Sequence, residues 1–311
     1  MGAVVFGSVF VDIKGYLTGS YIPGGRNAGR VEYVHGGVSR NIAEDIGNLG
    51  LKPAFVSLVD ESGIGADVLA RLEAHQVCTR YIRQVPDGMG TWLAVFDSNN
   101  DVCASISRRP DLTPILKTLE ESGDEIFSRA DSVLLELDME REIVTEIFRL
   151  AEKHGKPVFA AVSNMSIAME RRAFFQQLSC FVCNQGEAEI LFSTEFSAPT
   201  PEGLASQLAM CVAAARIRSM VVTLGGVGAV WATQEGQHGV CSAWDVPVVD
   251  TTGAGDAFFS GVAVGLTYGK ALPEACEIGT RLAASVIRTM DNTCPRFLPE
   301  EFGIRPDPSA P

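Results

Sequence analysis

The sequence predicts an α/β fold: a mainly parallel central sheet with helices on both faces, plus a small β appendage. Short apolar runs rich in β-branched residues alternate with longer helical stretches, and strands separated by helices lie parallel and covered on both sides. Two segments break the alternation: Gly15 to His35 is rich in Gly and turn formers, and Gly90 to Ser107 holds two period-two runs that read as a β-hairpin.

The elements follow in order. Val4 to Ser8 is a β-rich run, and a helix is expected from about Val38 to Leu49, with Gly50 as its stop. Ala54 to Val59 reads as a strand and Asp67 to His75 as a helix. Strand Val133 to Leu137 precedes helix Arg141 to His154, and strand Val158 to Val162 precedes helix Ile167 to Gln177. Strand Phe181 to Cys183 leads to helix Glu187 to Phe192, and helix Leu204 to Ala215 leads to strand Met220 to Leu224. Trp244 to Val249 is apolar enough for a strand end, and helices Gly253 to Tyr268 and Leu272 to Met290 close the fold. In the second insertion, Thr91 to Phe96 and Val102 to Ile106 flank Ser98-Asn99-Asn100-Asp101 as a hairpin. There is no internal repeat, and Gly303 to Pro311 is a polar, Pro-containing tail.

At 311 residues and 46% hydrophobic the chain buries a large core, and one extended domain over residues 1–311 is expected. A net charge of −13 argues against nucleic acid or an anionic membrane surface as partner. Ala3 to Val11 lacks the basic leader of a secretory signal, and no apolar run reaches the roughly 18 residues of a membrane span, so a cytoplasmic protein is expected. Eight cysteines show no framework. Cys180 and Cys183, three apart on a predicted strand, face opposite sides and suit neither a metal nor a disulfide.

Asp250-Thr251-Thr252-Gly253-Ala254-Gly255-Asp256-Ala257-Phe258 carries the chemistry. Small residues let the backbone approach an anion, and the free N–H groups of a helix's first turn point at it. A carboxylate there would repel a phosphate that merely rested in the turn. Asp256 therefore fits a base for a hydroxyl attacking phosphorus, with the N–H groups of Gly253, Ala254 and Gly255 stabilising the transferring oxygens. The plainer alternative is a helix start whose acid complements the dipole.

This string resembles the Asp-Thr-x-Gly-Ala-Gly-Asp signature of the ribokinase-like (PfkB) carbohydrate and nucleoside kinases, and Gly36-Gly37-Val38-Ser39-Arg40-Asn41-Ile42-Ala43 resembles that family's Gly-Gly motif. The two motifs stand in the family order, so the resemblance covers essentially the whole chain. It implies a ribokinase-like fold in which insertions at about 15–35 and 88–108 form a lid over the acceptor and often a homodimer contact, with Trp92 or Phe96 packing there. It further implies Mg·ATP as phosphoryl donor and a nucleoside or sugar as acceptor. Asp12, expected at the end of the first strand, Gly36, Gly37, Arg40 and Asn41 would meet the acceptor. Asn184, Thr223, Gly225 and Gly228 would meet the nucleotide, and Glu187 would hold Mg²⁺ through water. Asp250 and Thr252 fit equally a monovalent cation such as K⁺ or a plain turn.

The chain departs from many relatives in carrying Ala160 and Ala161 where an Asp ends the strand. Arg40-Asn41, Val11 to Gly15, Pro23 to Asn27 and Val162-Ser163 look like pseudouridine kinases, so phosphorylation of a nucleoside 5′-hydroxyl, with pseudouridine as acceptor, is the expectation. The alternatives are a sugar kinase of the same family and a non-catalytic nucleoside-binding protein, which would have no use for Asp256 and Glu187 together. A dinucleotide oxidoreductase and a P-loop ATPase lack their glycine motifs here.

Overall fold

Strand β1 (Val4–Phe6) is three residues long and wholly buried: Val4 and Phe6 pack into one core, Val5 into another. A strand buried on both faces belongs to the middle of a sheet with helices on either side. The computed structural model describes residues 2–97 and 101–305. The tip Ser98-Asn99-Asn100 and the tail from residue 306 onward lie outside the described residues.

After β1 come β2 (Phe10–Leu17) and β3 (Gly29–Gly36), then α1 (Val38–Asn48), β4 (Ala54–Val59), α2 (Gly63–Ala74) and the short β5 (Ile82–Gln84). The hairpin β6 (Gly90–Phe96) and β7 (Val102–Arg108) precedes α3 (Ile115–Arg129). The alternation resumes with β8 (Val133–Glu136), α4 (Arg141–His154), β9 (Val158–Ala161), α5 (Met165–Ala168), β10 (Cys180–Asn184), α6 (Gln185–Phe192), α7 (Pro201–Ala215) and β11 (Ser219–Thr223). A second hairpin, β12 (Gly228–Thr233) and β13 (His238–Ser242), leads to α8 (Ala254–Thr267) and α9 (Leu272–Val286).

The large sheet runs β13-β12-β11-β10-β9-β8-β1-β4-β5, parallel from β11 to β5 and antiparallel at the β12–β13 edge. The chain enters at the centre, and the crevice beside β1, where the strand order turns, is where such sheets take ligands. A second sheet, β3-β2-β6-β7, forms the lid; β2 and β6 lie parallel, with Asp12 opposite Trp92. Trp92 meets Phe96 edge-on at 6.1 Å, and Phe96 stacks on Tyr16 at 5.0 Å.

Several expectations need correcting. Asp12 does not end the first strand: β1 stops at Phe6, and Asp12 sits inside β2, on the lid. The first lid segment therefore starts at Phe10, and the Gly15 to His35 stretch holds the end of β2 and nearly all of β3. Trp244 to Val249 is not a strand end; it is an extended loop with Trp244, Val248 and Val249 exposed. The helix expected over 167–177 is the four-residue α5 running into a 3₁₀ segment, Met169–Gln177, broken at Arg171. Helix α9 stops at Val286, short of Met290. Cys180 and Cys183 do face opposite cores, and all eight cysteines are free.

Helices α8 and α9 touch backbone to backbone, since a Cβ on Gly261 would lie 2.6 Å from the Cα and N of Gly279. Gly261→Ala gains roughly 1 kcal/mol of helix propensity. Over-packing against backbone costs about 1–3 kcal/mol, here toward the upper end. The expected outcome is a lower urea midpoint than wild type at unchanged slope.

Candidate active site

The start of α8 is shaped by Gly253, whose φ of 82° is left-handed and whose Cβ would lie 2.0 Å from the carbonyl oxygen of Asn292. No other residue fits there without moving the chain. The turn leaves the N–H groups of Gly253, Gly255 and Asp256 with no acceptor among the described residues, while the N–H of Ala254 donates to Thr251 at 3.2 Å. Ala254 is thus not one of the open donors expected from the sequence; the N–H of Asp256 takes its place. Gly255 faces open space, so an anion can come close to this helix end.

Across the crevice, α1 begins after Gly36-Gly37. A Cβ at Gly36 would lie 2.7–2.8 Å from the carboxylate atoms of Asp12, so the missing side chain makes room for that carboxylate. Burial raises the Asp12 carboxyl above its usual range, with Lys14 and Arg40 opposing. Asn41, nearly buried in the first turn of α1, donates from Nδ2 to Asp256 Oδ2 at 2.6 Å. The two sequence motifs, 215 residues apart, meet at this bond. Burial pushes Asp256 up to about 6, opposed by the Asn41 N–H and the Arg40 charge and reinforced by Glu187.

Arg40, expected among the acceptor contacts, is wholly buried instead. Its Nε donates to the Gly36 carbonyl at 3.0 Å, Nη1 to Glu44 Oε1 at 2.5 Å, and Nη2 to the His35 carbonyl at 2.8 Å and to Asn41 Oδ1. Glu44 also accepts from Arg71 Nε at 3.0 and 3.1 Å. The carbonyl oxygen of Asn41 is therefore taken, and the side chain offers a ligand N–H alone.

At the end of β10, Asn184 and Glu187 form a reciprocal capping box: Asn184 Oδ1 accepts from the Glu187 N–H at 2.9 Å, and Glu187 Oε2 accepts from the Asn184 N–H at 2.8 Å. Their spacing thus has a local cause, and Glu187 Oε1 has no hydrogen-bond partner among the described residues. Burial raises the Glu187 carboxyl, with Asp138 adding and Asn184 opposing. Glu136, the last residue of β8, and Asp138, two residues beyond it, were not expected from the sequence; Glu136 pairs in register with Ala161 at the end of β9. Glu136 accepts from Ser8 Oγ and the Ser39 N–H at 3.0 Å each. Burial and Asp138 push it to about 7. Asp138 accepts from Arg109 at 2.6 Å and from Ser163 Oγ at 2.9 Å. The visible signal was two carboxylates closing an apolar strand.

Thr223, Gly225 and Gly228 line a largely apolar cleft of about 660 Å³ that reaches Ala254, Gly255 and Phe258 at the start of α8. Asp250 Oδ1 accepts from both the N–H and the hydroxyl of Thr252 at 2.8 Å, a local turn that lowers its carboxyl pKa against the opposing effect of burial. Among the described residues no group of three or more His, Cys, Asp or Glu is arranged to hold a metal, and no helix is long and apolar enough to cross a membrane.

The pfkB family of carbohydrate kinases matches this chain over residues 2–295. The chain belongs to that family. As a pfkB kinase it is a phosphotransferase acting on small nucleosides or sugars. It is 33% identical over 290 residues to a guanosine-inosine kinase of Exiguobacterium acetylicum, covering 93% of this chain and 95% of the relative. It is 24% identical over 261 residues to a pseudouridine kinase of Escherichia coli, covering 84% and 82%. The ribokinase of Arabidopsis thaliana, solved with ribose and ATP, superimposes with a TM-score of 0.82 at 22% identity, covering 96% of this chain and 97% of that one. The architecture is the ribokinase-like α/β fold.

Gly253→Ala strains the turn in this pfkB kinase by about 1–2 kcal/mol for a left-handed non-glycine, before the clash with Asn292. The expected result in titration calorimetry is weakened ATP binding, with circular dichroism unchanged.

Proposed function

We propose that this pfkB kinase transfers the terminal phosphoryl group of ATP to the primary 5′-hydroxyl of a nucleoside, with a purine riboside of the guanosine or inosine type as its favoured acceptor. The observation that carries the chemistry is the 2.6 Å bond between Asn41 and Asp256, which joins an acceptor-binding motif to a carboxylate at an open helix end.

In this reading the acceptor lies beneath the lid, its ribose hydroxyls donating to Asp12 and receiving N–H from Asn41, with the backbone of Gly36-Gly37 close by. Asp256 takes the proton of the 5′-hydroxyl as that oxygen attacks the γ-phosphorus, the bond to the bridging β–γ oxygen breaks, and ADP leaves. A carboxylate with a pKa of about 6 is a better proton acceptor near neutrality than an ordinary Asp. The open N–H groups of Gly253, Gly255 and Asp256 meet the oxygens of the transferring group. Thr223, Gly225 and Gly228 line the cleft for ATP, and Asn184, which pairs with Thr223 in strand register, is the neighbouring residue proposed to meet the nucleotide.

Glu187 fits Mg²⁺ that keeps most of its waters, because one of its oxygens is free while the other caps α6. Mg²⁺ supplies charge neutralisation on the phosphates. Asp250 and Thr252 remain the proposed monovalent-cation element.

Support for a purine riboside comes from the 33% identity along nearly the full length of the guanosine-inosine kinase. Pseudouridine is the second reading, favoured by the relative at 24%; Arg40, part of that resemblance, is buried and spent on Asn41 and Glu44. A homodimer through the lid belongs to the same proposal. Tyr33, Ile13, Leu93 and Ile106 stand in cross-strand register on the lid face away from Asp12, and all but Ile13 are exposed. Free cysteines fit a reducing cytoplasm.

Purified protein with Mg·ATP should release ADP fastest with guanosine or inosine among a panel that also holds pseudouridine, uridine, ribose and fructose. Silence across the panel would return the non-catalytic binding protein. Asp256→Asn should keep ATP binding and lose at least roughly 10²–10⁴ in kcat; near-normal turnover would remove Asp256 from the base role. Because the base works deprotonated, kcat should be level above pH about 6 and fall about tenfold per unit below it.

A further inference from the structure

The geometry points to Arg40 as a positioning residue that locks the side-chain amide of Asn41, so that its NH₂, never its oxygen, faces Asp256. This rests on the proposed role of Asp256.

An Asn side chain can present either end of its amide to a neighbour, and the two ends have opposite effects on a carboxylate. Arginine has donors and no acceptor, so of the two ends of the Asn41 amide only the oxygen can partner Nη2, which also donates to the His35 carbonyl. With that oxygen held, the NH₂ must point the other way, to Asp256 Oδ2 at 2.6 Å. A flipped amide would set its oxygen against the carboxylate and its NH₂ against the guanidinium, losing both bonds at once.

The lock is itself immobilised. Arg40 is fully buried and bonded through Nε, Nη1 and both contacts of Nη2 to Gly36, Glu44, His35 and Asn41. Glu44 is buried and held in turn by Arg71 on α2, and it lies within 3.5 Å of the Thr293 hydroxyl. No atom of Arg40 reaches the groove, so its influence on an acceptor must pass through Asn41. The charged groups around Asp256 are Arg40 and Asp45 from α1 and Glu187 from α6. Arg40 is the one cation among them, and both it and the Asn41 N–H favour the ionised carboxylate.

Removing one partner of a buried ion pair leaves the other uncompensated, whereas replacing both by apolar residues of similar volume is often neutral. The test is therefore Arg40→Met combined with Glu44→Met, with Arg40→Lys alongside because it keeps the charge and loses the fork. Two readouts are taken: kcat against pH, and the titration of the Asp256 carboxyl in ¹³C-Asp-labelled protein, its resonance assigned with Asp256→Asn. The expected result is a fall in kcat of at least about tenfold with KM for ATP little changed, and an Asp256 midpoint moved above the wild-type value of about 6. Arg40→Lys should lower kcat in the same way, and it decides the matter if the double variant does not fold. Unchanged kcat and an unchanged midpoint would overturn the inference. Since the carboxyl titration needs no acceptor, a raised midpoint in a protein that phosphorylates nothing on the panel would uphold the lock while removing the proposed function.

Discussion

The short bond between Asn41 on α1 and Asp256 on α8 is the constraint on which the rest of the site depends. For two helix starts so far apart in the chain to meet, each must end its approach within a fraction of an ångström of the other. Gly253 turns the chain where no side chain fits, Gly36 leaves space for the Asp12 carboxylate, and the glycine contact between α8 and α9 sets the depth of α8. These are backbone-level fits, stiffer than side-chain packing, and stiffness is what a proton-transfer geometry needs.

Electrostatics explains how an acidic protein can handle a polyanion. Net charge of −13 offers ATP no general attraction, so in the proposed mechanism binding falls to the local N–H groups at α8 and to a cation beside Glu187. Proton affinity is raised at two carboxyls beneath the start of α1 and α8, Asp256 to about 6 and the wholly buried Glu136 to about 7. A carboxyl that binds its proton more tightly in the folded state contributes stability that is full below its ordinary pKa and lost as pH climbs through the raised one. Here that loss is complete just above neutrality, where the proposed base is fully ionised. The fold thus gives up some stability in the pH range where the site is ready for chemistry, a trade common at functional sites.

Much of this was legible from the sequence. The alternation of apolar runs and helices gave the sheet, α4 emerged with its bounds as expected, and the string from Asp250 to Phe258 marked the anion-ready helix end. What escaped was set by tertiary context. The sequence suggests a β-rich run from Val4 to Ser8 with Asp12 ending the first strand, yet the chain breaks at residues 7–9 between β1 of the large sheet and β2 of the lid, which carries Asp12. Helix α3 and the β12–β13 hairpin drew no prediction, and Trp244, Val246 and Val248 line a cleft rather than pair as a strand. Arg40 was misread for a related reason: a guanidinium beside a ligand-binding Asn looks like a ligand contact until its burial is seen. Glu136 and Asp138 close an apolar strand in plain view, but that Glu136 lies opposite Ala161 and Asp138 against Ser163 follows only from the pairing of β8 with β9 and the turn beyond it.

The sheet order has a consequence for how the molecule assembles. Half of the crevice is encoded before residue 42 and the other half after residue 252, with nearly all of the central sheet between them. A nascent polypeptide can therefore complete its lid and first helix early, yet it holds no working centre until the penultimate helix has been synthesised and has docked. Contacts of such long sequence separation are the slow ones to form. The proposed centre thus waits on a contact between segments 215 residues apart.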